Sequence, residues 1–169
     1  MRSHSKLLLI MPVLIVTILV FVGTVSVEAS AVTDPDSGVS YVIPNGWKQV
    51  KRLGTTSAIA SSDDLAYMTV TFTKFSPNDL ESIKNEFIKA SERNLRSFEL
   101  ISADQIVIAE KKVLRIVIEF ELGYRFRQVH LKIPKTGGYV DIVFGSFKDD
   151  WSDFEAAFNA IQSSLKFQF

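Results

Sequence analysis

Between Lys112 and Phe147 the chain lays down three strands in succession, with room for only turns between them. In KVLRIVIEFEL (112–122), Leu114, Ile116, Ile118, Phe120 and Leu122 recur at every second position. A period of two places those side chains on one face of a strand. Gly123 alone separates this run from YRFRQVHLKI (124–133). The stretch Pro134-Lys135-Thr136-Gly137-Gly138 separates that in turn from YVDIVFGSF (139–147). Links this short cannot hold a crossover helix, so neighbouring strands must run antiparallel. The result is a meander, which excludes a helical bundle and a parallel α/β sheet.

The flanking segments extend the pattern. VSYVI (39–43) is a strand stopped by Pro44 and the Asn45-Gly46 turn. Trp47–Leu53 is a candidate extended piece, and 54–62 is a weak strand around Ile59. In AYMTVTFTKF (66–75), Met68, Val70 and Phe72 point one way and Tyr67, Thr69, Thr71 and Thr73 the other. A helix then opens at Ser76-Pro77-Asn78-Asp79, with Ser76 as cap, Pro77 at the first helical position and Asp79 at the third. Leu80, Ile83, Phe87, Ala90 and Leu95 form its apolar stripe. Residues 98–109 carry two short apolar pieces around Asp104. A last helix begins where Asp149, Asp150 and Asp153 favour its N-terminal dipole, and Trp151, Phe154, Phe158, Ile161 and Leu165 give it an apolar face. The elements run β-β-β-α-β-β-β-β-α, with Trp47–Leu53 as a further extended candidate. That order defines an α+β fold: a largely antiparallel sheet of about six to seven strands flanked by two helices, an α/β/α sandwich.

The N-terminus sets the compartment. Arg2 and Lys6 precede the apolar run Leu7–Val22, and Ala29-Ser30-Ala31 follows as a small-residue cleavage site. This order reads as a signal peptide over residues 1–31. The rival is an uncleaved anchor over 7–27, long enough to span a bilayer. Either reading places the domain outside the cytoplasm: secreted, periplasmic or tethered to the outer face of the membrane. Membrane contact is then expected only through 7–27, if uncleaved. Residues 32–37 read as a short leader and 38–169 as the domain. Without Arg2, Lys6 and Glu28 the remainder has 17 basic and 18 acidic residues, so no broad cationic surface exists for nucleic acid. The absence of cysteine excludes disulfides, thiolate metal sites and a lipidated cysteine.

Candidate chemistry is sparse. His130 is the one histidine after the export segment, read as lying nearly opposite Val117 or Glu119. With Glu119 and Glu121 it could serve a small hydrolase as a carboxylate-oriented base. A cross-strand surface pair is the plainer reading, because no Ser or Cys nucleophile is tied to it by a motif. Arg125, Arg127 and Lys132 on the returning strand are the simple charge partners of Glu119 and Glu121, and Arg125 and Arg127 also offer an anion or partner-protein contact at the hairpin end. Trp47, with Tyr41, Tyr67, Tyr139 and Phe126, is either an aromatic binding face or packing beneath a helix. Asp149, Asp150 and Asp153 lack the longer oxygen-rich array of a calcium loop. No phosphate loop, dinucleotide fingerprint or zinc-protease motif occurs, so no cofactor or metal is expected.

Three stretches carry a family resemblance: YVIPNGW (41–47), the single helix after AYMTVTFTKF, and GYVDIVFGSFKDDWSDFEAAFNAIQSSLKF (138–167). Together they resemble the PsbP-like family, which includes the extrinsic photosystem II subunit PsbP and DcrB-type envelope proteins. The resemblance spans roughly residues 38–168. It implies a central antiparallel sheet with helices on both faces, no enzymatic activity, and binding to other proteins. The expectation is therefore an exported, non-catalytic interaction domain whose partner is another envelope or membrane protein, with Arg125, Arg127, His130 and Trp47 as contact residues. The alternatives are a small-ligand carrier with a cavity between sheet and helix, and the hydrolase.

Overall fold

The computed structural model describes residues 30–74 and 79–169. The signal-peptide or anchor reading of 1–29 lies outside these residues, as do the Ser76 cap and Pro77. The strands before the first helix are β1 (Ala31–Asp34), β2 (Val39–Val42), β3 (Trp47–Gln49), β4 (Ser57–Ser61) and β5 (Ala66–Lys74). Helix α1 (Leu80–Asn94) follows, then β6 (Arg96–Ile108), β7 (Lys111–Leu122), β8 (Tyr124–Lys135) and β9 (Gly138–Phe147). Helix α2 (Trp151–Ser164) and the short β10 (Lys166–Phe167) end the chain.

Seven strands pair in the order β3-β4-β5-β9-β8-β7-β6, each antiparallel to its neighbours. The expected α+β sandwich is therefore present. Strands β7, β8 and β9 form the meander read from 112–147. A second, three-stranded sheet, β1-β2-β10, lies apart from it.

The two faces of the large sheet bury different partners. Leu114, Ile116, Ile118 and Phe120 pack with Ile83, Leu80, Phe87 and Leu95 of α1 and its end. Val113, Val117, Val129, Leu131, Ile142 and Phe144 pack on the other face with Phe158 and Ile161 of α2. Val39 and Tyr41 of the small sheet, with Ile43 just after β2, join that second core. Each fully buried aliphatic or aromatic side chain contributes about 1.5–3 kcal/mol, so the meander is held from both sides. Leu122, read as sharing a strand face with Leu114, Ile116, Ile118 and Phe120, is exposed at the hairpin end.

Four local expectations change. The polar segment 32–37, expected as a leader, supplies most of β1, whose Val32 pairs with Tyr41 and whose Asp34 pairs with Val39. Residues 98–109 lie mostly in one edge strand, β6, which runs from Arg96 to Ile108 with two register irregularities rather than two pieces. Asp79 is the N-cap of α1, not its third residue, and its carboxylate accepts from the Ser82 amide. At α2 the cap is Asp150, but its side chain makes no capping bond; Asp153 occupies the first turn.

Gly145 of β9 lies beneath the Tyr67 phenol of β5, and a Cβ there would overlap the ring. Gly145→Ala should displace Tyr67 and cost about 1–3 kcal/mol of stability. Urea denaturation checks this, and Tyr67→Ala in the same background should relieve most of the clash.

Candidate functional site

Both charged clusters of this domain follow from the register of β7, β8 and β9. Gly123 (φ 78°) turns the first hairpin so tightly that Leu122 faces Tyr124. Ile116 then lies opposite His130, and Glu119 opposite Arg127. His130 is thus not opposite Val117 or Glu119. Side chains alternate along each strand, so Glu119 and Glu121 share the α2 face while His130 takes the α1 face. The sheet separates them. A hydrolase built from Glu119, Glu121 and His130 is ruled out by that placement.

On the α2 face Glu119 is almost completely buried, with 1% of its side chain exposed. Arg127 donates to its Oε1 through Nη2 at 2.7 Å and Nε at 3.0 Å. Lys148 donates to Oε2 at 2.6 Å, and Arg125 Nη2 lies 3.0 Å from the same oxygen. Burial pushes the Glu119 carboxyl upward, but the hydrogen bonds from Lys148 and Arg127 outweigh it and hold the group below the usual carboxylate range. Arg125 also bridges to Glu99 of β6, and Ser97 donates to Glu121 at 3.0 Å. Arg127 stands 5.8 Å over the Trp151 ring, so the first turn of α2 closes the cluster.

On the α1 face a second cluster runs across β8, β9 and β5. Lys132, 1% exposed, donates to Asp141 Oδ2 at 2.7 Å. His130 Nδ1 lies 3.3 Å from the same carboxylate oxygen, and Nε2 lies 3.0 Å from Gln128 Oε1. Gln128 in turn donates to the Tyr67 hydroxyl. Phe87 of α1 covers the cluster, 4.5 Å from the His130 ring and 4.4 Å from Lys132 Nζ. Burial raises the Asp141 carboxyl, but the Lys132 and His130 charges overcome it and leave the group far below the ordinary range. Lys132, expected as a charge partner of Glu119 and Glu121, lies on the opposite face and pairs with Asp141, which the sequence did not single out. Each is an isolated charge within an apolar strand run, and the second hairpin places them in register.

The four expected contact residues therefore divide. Arg125 and Arg127 meet around Glu119. His130 belongs to the opposite face. Trp47 sits at the far edge of the sheet, edge-on to Phe154 at 6.4 Å and to Phe158 at 5.8 Å, so it packs beneath α2. Tyr41 is buried and bonded to Ser57, and Phe126 stacks on Phe120. The aromatic residues are packing, not one shared face. Asp149, Asp150 and Asp153 form no metal-ligating group, and none of three or more His, Asp or Glu occurs among the described residues.

The fold is that of PsbP-like proteins. The solution structure of cyanobacterial PsbP (CyanoP) from Synechocystis sp. PCC 6803 superposes with a TM-score of 0.64 at 15% identity, covering 86% of this chain and 96% of that one. LpqN of Mycobacterium tuberculosis, described as involved in cell envelope biogenesis, matches with a TM-score of 0.59 at 13% identity, covering 82% and 90%. A Bacteroides thetaiotaomicron protein matches with a TM-score of 0.56 at 14% identity, covering 84% of this chain and 49% of its own. No family model and no curated protein sequence matches.

Two predictions follow from the clusters. Glu119→Gln should destabilise the domain by about 1–3 kcal/mol, because it removes the charge on which three partly exposed cations converge. Arg125→Ala, at a half-exposed position, should cost no more than about 1 kcal/mol. Chemical denaturation of both variants distinguishes the two. Because the Asp141 carboxyl is lowered on folding, its stabilisation is fully present above the unfolded value of about 3.9. It is lost as pH falls through the lower folded value. The stability gap between wild type and Asp141→Asn should thus be constant near neutrality and shrink below about pH 4. Denaturation curves across that range check the sign.

Proposed function

We propose that this chain is a non-catalytic, extracytoplasmic interaction domain that binds another envelope or membrane protein through the end of the β7–β8 hairpin. The observation that carries the reading is the state of that end. Tyr124 is 72% exposed and Leu122 65% exposed, on either side of Gly123. Beside them Arg125 is held by Glu99 and Glu119 yet remains half-exposed. Tyrosine and arginine are the residues most often found at the energetic centres of protein interfaces. Here the arginine is already fixed, so little rotamer entropy is lost on contact.

Two further points support the reading. The buried carboxylates Glu119 and Asp141 are each committed to cations on their own face. The export-type segment 1–31 and the PsbP-like fold, shared with a protein described as involved in cell envelope biogenesis, favour a location outside the cytoplasm. No helix among the described residues is long and apolar enough to cross a membrane.

A photo-crosslinking amino acid at position 124 tests the proposal in intact cells. One discrete adduct is expected at 124 and none at Lys112, on the far end of the same hairpin. Leu122→Ser should reduce the adduct roughly tenfold, as expected for loss of an interface anchor worth 1–2 kcal/mol. Leu122 leaves the Glu119 cluster untouched, so this loss is separable from unfolding. Equal labelling at both positions, or no response to Leu122→Ser, would sink the proposal.

A further inference from the structure

The register of the large sheet gathers positive charge at one end of it. Ser57 lies opposite Val70, Lys74 and Lys135 both lie opposite Gly138, and Ile108 lies opposite Lys111. The β3–β4 loop, the end of β5, the β8–β9 turn and the β6–β7 turn therefore share that end, while the β7–β8 hairpin closes the other. A 12-residue strand such as β7 separates the two ends by about 40 Å. Neighbouring strands lie roughly 4.8 Å apart, so the row of ends from β4 to β6 is about 25 Å wide.

This row carries Lys51, Arg52, Lys74, Lys111, Lys112 and Lys135. None of the six forms an ion pair among the described residues. Lys135 donates to the Asp36 and Ser37 carbonyls, and the Arg52 guanidinium lies 4.1 Å over the Tyr67 ring. Neither contact supplies a full negative charge. The exposed acids of the same turns are Asp36 and Glu110. Asp79 and Glu81, at the start of α1, are committed to the Ser82 amide and to Lys84. The near-zero total charge of the domain conceals this local excess.

One apolar side chain projects from the same row. Leu53 is fully exposed, at 105%. It stands at the corner of a tight turn in which the Thr55 amide and hydroxyl both donate to the Arg52 carbonyl, with Gly54 at φ 77° behind it. That turn displays the leucine and keeps it from folding back on the sheet. A broad row of cations around an apolar tip matches a surface with phosphates outside and hydrocarbon beneath. A soluble polyanion would meet the lysines but offer Leu53 nothing. We propose that this end of the sheet docks on an anionic phospholipid bilayer. The cations meet head-group phosphates, and Leu53 enters the interface between them. The contact is additional to any made by residues 7–27, and it lies at the opposite end of the sheet from the hairpin.

The chain has no cysteine, so one introduced cysteine carries a probe at a single position. The full chain is labelled with an environment-sensitive fluorophore at Thr136→Cys, exposed in the β8–β9 turn, or at Tyr124→Cys on the hairpin. It is reconstituted in vesicles of phosphatidylcholine alone or in a seven-to-three mixture with phosphatidylglycerol. The label at 136 should shift to the blue only in the anionic vesicles, and the label at 124 in neither. Added salt should reverse the shift. Lys51→Ala with Lys112→Ala should lower the ratio of docked to undocked protein roughly thirtyfold, about fivefold for each surface lysine. Leu53→Ser should lower it roughly fivefold. All three positions are exposed, so these variants keep the fold. No shift at 136, an equal shift in neutral vesicles or at 124, or a shift that survives loss of the two lysines would each overturn the proposal. A shift that needs the lysines but ignores Leu53→Ser would overturn it too, because the surface would then read charge alone, as it would on a nucleic acid or an acidic protein.

Discussion

Strands β7, β8 and β9 are covered on both faces, and this constraint governs most of what the domain can do. A strand in that position has no solvent side on which to place a polar residue. Every charge in it must be paired or pay the cost of desolvation. The meander nevertheless carries Glu119, Arg127, His130, Lys132 and Asp141. It accommodates them by sorting them into two clusters, one under each helix. Glu119 collects Arg125, Arg127 and Lys148 on the α2 face. Asp141 collects Lys132 and His130 on the α1 face.

Such clusters look like active sites when read as a list of residues, and like structure when their partners are drawn. A catalytic acid or base needs a carboxyl near the working pH and an opening to substrate. Glu119 and Asp141 are both displaced the other way, toward firm ionisation. What the described residues leave uncommitted includes the exposed Leu122 and Tyr124 at the hairpin end. Those features are the ones on which the proposed binding role rests.

The fold was legible because alternation and short turns survive in the sequence. From Lys112 to Phe147 each strand announces its own period, and the turns leave one way to connect them. Other features were hidden for identifiable reasons. Strand β1 (AVTD) has no pattern of its own and exists through its pairing with β2. The single strand β6 looked broken because its irregularities interrupt the alternation. The position of His130 was recoverable in principle: with Gly123 as the only turn residue, counting back from Leu122 and Tyr124 puts it opposite Ile116. The Lys132–Asp141 pair was signalled by lone charges in VHLKI and YVDIVF, but its meaning depended on knowing that α1 covers that face.

The central claim is that the two buried carboxylates are structural ions and not acid–base groups. Site-resolved NMR titration of the side-chain carboxyl carbons of Glu119 and Asp141 tests it most directly. The account predicts that both remain ionised below the ordinary carboxylate range, and that Asp141 holds its charge until the fold itself is lost. A carboxyl at either position that takes up a proton above the ordinary range, toward neutrality, would contradict it.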